Sequence, residues 1–117
     1  MTNEEKQLLL KDLCARLPYK PQVVYNGVTE TLSTLHIFDM THLKEECVDI
    51  KPYLRPMSSM TEEERRDWSG KVLLSKAVFS DKMDVLYDFC NARHLDYRGL
   101  IPMDLALPAP EGMYYFI

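Results

Sequence analysis

Apolar and polar positions along the chain divide it into short blocks. Leu9, Leu10, Leu13, Cys14 and Leu17 recur at helical spacing, with Lys11, Asp12 and Arg16 outside the centre of that face. This predicts a helix over 3–17. Thr2 caps it with Glu5 three residues on, as in a capping box, and Pro18 and Pro21 end it. Residues 22–38 read as a β-hairpin. Asn26-Gly27 suits a type I′ turn, Val23-Val24-Tyr25 precede it, and a Thr-, Val-, Leu- and Ile-bearing strand runs from Val28 to Phe38. His42 to Val48 fits a short helix or a loop.

Residues 51–60 hold Pro52 and Pro56, which disfavour a helix, so the segment reads as an extended connector with apolar content. Thr61 and Glu64 form a second capping box and open a second helix, which Ser69-Gly70 stops or bends. Residues 71–79 fit either helix or strand. A third helix starts at Ser80 or Asp81 and runs to about His94, with Met83, Leu86, Tyr87 and Cys90 on its apolar face. The tail from Leu100 is apolar, and Pro102, Pro108, Pro110 and Gly112 keep its regular structure brief, so it should run irregularly and close one side of the core. The fold class predicted is α+β: about three helices packed on a small antiparallel sheet built around the hairpin, in one domain over 1–117.

Composition changes this picture little. The chain has 117 residues, 46% hydrophobic and 27% charged, ordinary for a globular domain. Its net charge is -4, with five basic and eight acidic residues in 1–50 and nine and ten in 51–117. No basic stripe emerges, which argues against nucleic-acid binding. No run approaches the ~20 apolar residues of a membrane helix, and nothing resembles a signal peptide. The three cysteines, an odd number with no close pair, suit a reducing compartment, and the expected location is cytoplasmic.

Candidate chemistry is sparse. Asp81, Asp84 and Asp88 share one side of the third helix, but opposite its apolar face, where solvated charges belong. Cys90 and His94, four apart, could join His42 and Cys47 as a Cys₂His₂ zinc set. The spacing is looser than in known zinc frameworks, and Cys90 falls in an apolar stripe, so no metal is expected. Cys14 and Cys90 read as buried, and Glu45-Glu46 beside Cys47 disfavour a thiolate. His94-Leu95-Asp96 could be an acid/base pair, but reads better as a helix end closing at Gly99. The four glycines are dispersed and give no phosphate cradle, so no cofactor is expected.

Two blocks carry a resemblance. Lys51-Pro52-Tyr53-Leu54-Arg55-Pro56-Met57-Ser58-Ser59-Met60-Thr61 with Glu62, Glu63 and Glu64 is similar to a signature of small uncharacterised proteins from gut Bacteroides-type bacteria and their phages. Asp96-Tyr97-Arg98-Gly99-Leu100-Ile101-Pro102 through Ala109-Pro110-Glu111-Gly112-Met113-Tyr114 resembles that family's C-terminal signature, and Leu17-Pro18-Tyr19 also resembles it. Asp104 stands where a glycine is usual and Pro108 where a glutamate is usual, so no role of that glutamate carries over. The resemblance implies a bacterial or phage setting and an accessory role, and no mechanism. The leading functional expectation is a non-enzymatic accessory or adaptor domain that binds a protein partner, with Tyr53, Leu54, Arg55, Tyr97 and Arg98 as candidate partner-binding residues. The alternative is a small enzyme, or a metal- or ligand-binding domain, that uses His42, Cys47, Cys90, His94 and Asp96.

Overall fold

The computed structural model describes residues 2–42, 48–77 and 83–114, apart from the side chains of 73–77 and 83–85. Helix α1 spans Asn3–Arg16 and begins in the expected box: Glu5 N donates to Thr2 Oγ1 at 3.1 Å, and Thr2 N donates to Glu5 Oε1 at 2.9 Å. A 3-10 turn at Leu17–Tyr19 leads into β1 (Gln22–Tyr25) and β2 (Val28–Thr31). Asn26 and Gly27 take φ of 48° and 85°, as a type I′ turn requires.

The second strand is shorter than expected. Thr34–His42 is helix α2, not a continuation of β2. Ser33 N donates to His36 Nδ1 at 3.0 Å, a cap like the one a glutamate makes in a capping box. His36 Nδ1 is thereby an acceptor, so Nε2–H faces Glu30 Oε2 at 2.9 Å. These local polar contacts outweigh the β preference of Thr, Leu and Ile in this stretch.

Residues 50–54 are likewise not a connector. Ile50–Leu54 forms β3, an interior strand of a four-stranded sheet ordered β2-β1-β3-β4, where β4 is Leu107–Pro108. The sheet is mixed: β1 pairs antiparallel with β2 and β3, and β3 pairs parallel with β4. Register explains why Pro52 is tolerated. Asn26 N donates to Asp49 O at 2.7 Å, so Asn26, Val24 and Gln22 turn their backbone groups toward β3. Pro52 lies opposite Val23, in a non-hydrogen-bonded pair, and no N–H is needed there.

Helix α3 (Glu62–Ala77) passes through Ser69-Gly70 without stopping, and 71–77 of the ambiguous stretch are helical. Residues 78–79 and Ser80 to Lys82 lie outside the described residues, and α4 is described over Met83–Ala92. The result is an α+β fold with four helices among the described residues.

The main core gathers Leu9 and Leu13 of α1, Val23, Met40, Ile50 and Leu54, and is closed by Leu100, Leu105 and Ala106. The tail therefore completes the core over its described part. Tyr114 fastens its end, accepting from Gln22 N and donating to Tyr53 O, both at 2.8 Å. A second cluster packs Phe89 and Cys90 of α4 on Leu95, Met57, Met60 and Trp68.

Candidate functional site

Chemistry-bearing side chains converge where the two cores meet. Four residues of α1 point inward: Leu9, Asp12, Leu13 and Arg16. At 100° per residue they fill an arc of about 100°. Asp12 and Arg16 were expected outside the centre of the apolar face, yet both are fully buried, whereas Cys14, expected on that face, is exposed. Arg16 Nε donates to Asp12 Oδ2 at 2.7 Å, and Arg16 Nη2 donates to Leu95 O at 2.7 Å, which ties α1 to the turn after α4. Arg98 Nε donates to Asp12 Oδ1 at 3.1 Å, and Arg98 Nη2 to Tyr97 Oη at 3.0 Å. Both guanidinium groups lie over the Tyr97 ring.

The other expected residues surround this centre. Asp96 accepts from Leu100 N at 2.8 Å and Ile101 N at 2.9 Å, so both carboxylate oxygens hold the start of the tail. His94 is not on α4, which ends at Ala92. It takes φ of 58°, and its ring stacks on Tyr114 at 3.9 Å. The helical spacing assumed for Cys90 and His94 therefore does not apply. Burial pushes the His94 imidazole down to about 4, assisted by the Arg16 and Arg55 charges. Burial pushes the Cys90 thiol up to about 11, against the pull of Arg16 and Arg93. At neutral pH the pair is thus imidazole and thiol, without the charged partners that nucleophilic cysteine chemistry uses.

Arg55 organises a second junction. Its backbone N donates to His94 O at 2.7 Å, and Asp96 N donates to Arg55 O at 2.8 Å. Its guanidinium grips Glu64 in two-pronged fashion, at 2.9 and 2.7 Å. That contact holds the Glu64 carboxyl below its ordinary range, despite burial. Glu64 also completes the cap of α3, with Thr61 N donating to it at 2.9 Å and Glu64 N to Thr61 Oγ1 at 3.1 Å.

Among the residues expected to face a partner, Leu54 is fully buried in the main core and offers no contact surface. Arg55 and Arg98 are engaged with Glu64 and Asp12, and Tyr53 and Tyr97 are half-buried. Of the alternative zinc set, Cys47 lies outside the described residues, His42 is exposed on α2, stacked on Phe38 at 4.1 Å, and Cys90 is in the second core. Asp81 and the Asp84 side chain lie outside the described parts, and Asp88 is exposed. Among the described residues no group of three or more His, Cys, Asp or Glu is arranged to hold a metal ion. A cleft of about 450 Å³ between α1, the start of β3 and residues 103–105 contains none of these candidates.

The opposite side of the molecule was not singled out in the sequence. There Leu35 is 64% exposed, Val28 56% and Phe38 53%. All four residues of β2 are exposed, and β2 is an outer strand of the sheet. Helix α2 turns His36 toward Glu30 and Asp39 toward Tyr25, where Tyr25 Oη donates to Asp39 Oδ2 at 2.5 Å. Met40 faces the core, and Leu35, Phe38 and His42 share the opposite, exposed flank of α2. The signal in the sequence was Leu35, Phe38 and His42 at helical spacing, hidden by reading this segment as strand.

Comparison with protein-family models, curated proteins and solved structures finds no match to this chain.

Proposed function

We propose that the protein is a non-enzymatic accessory or adaptor domain, working in the cytoplasm, that binds a protein partner through the side formed by α2 and β2. The observation that carries this reading is the exposed apolar flank, Val28, Leu35 and Phe38, beside an outer strand. The buried centre supports it from the other direction. Its carboxylates are occupied by guanidinium and backbone N–H groups, its histidine is held neutral and its cysteine is held as a thiol. Such groups hold a fold together. No helix among the described residues is long and apolar enough to cross a membrane.

The test is a paired capture from host lysate with the wild-type chain and a Leu35→Asp/Phe38→Asp variant, each shown by thermal melting to be folded. A protein retained by the wild type and lost by the variant is the expected result. Equal capture by both, or none by either, contradicts this reading.

A further inference from the structure

We infer that the partner contributes an extended segment that adds as a strand to the free edge of β2, with a basic side chain opposite Glu30 and an apolar one opposite Val28. This rests on the adaptor reading and specifies its mode.

In a two-residue hairpin the residues flanking the turn form a hydrogen-bonded pair, so Tyr25 with Val28 and Val23 with Glu30 bond inward. Leu32 N donating to Pro21 O at 2.9 Å continues the same alternation. Thr29 and Thr31 therefore turn their N–H and C=O groups outward, two donors and two acceptors along an edge that no described strand pairs with. No proline, lysine or bulge interrupts Val28–Thr31, the usual means of blocking an edge.

Side chains set the choice of occupant. Glu30 and Val28 point to the same face of the sheet as Val23 and Tyr25, the face that α2 covers. The Glu30 side chain remains 44% exposed beside His36. From Pro21 to His42 the chain has two acids, Glu30 and Asp39, and no lysine or arginine. The edge is thus apolar and negative. A second copy fits it poorly. With Thr29 bonded to Thr31 of the other copy, Glu30 would face Glu30 with Cα atoms about 4.5 Å apart. A basic residue there is complementary. In an antiparallel addition the residue two further along the added strand lies opposite Val28, itself 56% exposed.

Phage-displayed random heptapeptides selected on the full chain test this. The expected enrichment is Lys or Arg followed two positions later by an aliphatic or aromatic residue. Synthetic copies should lose at least tenfold in affinity toward Thr29→Pro, a variant that removes an outward N–H and leaves the β1 pairing intact. N-methylation of the peptide amide that faces the edge should cause the same loss with no change to the protein. Peptides that bind wild type and Thr29→Pro equally, but lose binding to Leu35→Asp/Phe38→Asp, overturn strand addition and leave the adaptor reading standing. Absence of enrichment overturns strand addition, and the paired capture then decides the adaptor reading separately. A dimer in sedimentation that Thr29→Pro dissolves overturns it in favour of a second copy.

Discussion

Asp12 and Arg16 have no exposed surface, whereas Leu35 and Phe38 are more than half exposed. One region buries charge, and the other exposes apolar carbon. In the first, local pairs such as Arg16 with Asp12 are joined by contacts between distant parts of the chain: Arg16 reaches Leu95, Arg98 reaches Asp12, and Arg55 meets the turn after α4. In the second, the polar contacts from Ser33 to His36 and from Glu30 to His36 are local, and Leu35 and Phe38 stay more than half exposed, Phe38 stacked on His42. Desolvated charge is costly unless fully paired, so the first region is intolerant of change. The second, being exposed, is expected to tolerate substitution with little effect on folding.

The largest expected effect is at the tail. Ending the chain after Gly99 removes Leu100, Leu105 and Ala106 from the core and the Tyr114 bridge between β1 and β3. Burial of two leucines alone contributes roughly 3–6 kcal/mol, a large part of a domain's net stability. Residues 1–99 should not melt cooperatively in calorimetry. A cooperative transition near the wild-type temperature would show that the charged junction is held without the tail.

Next is the ion centre. Arg16→Met leaves Asp12 with Arg98 alone and the Leu95 carbonyl without its donor, at an expected cost of about 3–5 kcal/mol in urea unfolding. A change under about 1 kcal/mol would mean that the centre is dispensable, and the contrast between the regions would fail.

A smaller effect comes from pH. His94 titrates near 4 in the fold and near its ordinary 6.5 when unfolded. The unfolded chain therefore takes up the proton first. Stability is whole above pH 6.5, falls as pH drops toward 4, and loses nothing more to this group below that. Between pH 7 and 5 the loss, trimmed for solvent screening, is about 1–2 kcal/mol. Subtracting the profile of His94→Gln isolates it from the other histidines. The Glu64 carboxyl, held low by Arg55, adds a further loss at lower pH, as it is protonated.

Smallest is Phe38→Ser, expected to shift unfolding by no more than about 0.5 kcal/mol while abolishing partner capture. A large destabilisation would make this flank part of the fold and not a contact surface.

Elements announced by one dominant local interaction were legible in the sequence. Asn26-Gly27 gave the hairpin, and Thr2 with Glu5 and Thr61 with Glu64 gave two helix starts. Pro52 concealed an interior strand because its tolerance depends on register with Val23, a relation between segments that local reading does not contain. Asp12 and Arg16 read as lying outside the centre of the apolar face of α1, yet they share the buried arc of Leu9 and Leu13. Only the partners Arg98 and Leu95, more than 75 residues away, make their burial tolerable. The segment after Thr31 carried strand-like residues whose conformation was decided by the Ser33–His36 cap. In each of these three cases long-range or polar partners decided the outcome.

The most direct test of the division of labour between the two regions is residue-resolved amide hydrogen exchange, with and without a saturating peptide from the heptapeptide selection. The free protein should show fast exchange at Thr29 and Thr31 and slow exchange at Val28 and Glu30. Added peptide should slow Thr29 and Thr31 and leave Leu95 to Ile101 unchanged. Protection that appears at Leu95 to Ile101 and not at Thr29 and Thr31 would place the binding site at the charged centre and contradict the account.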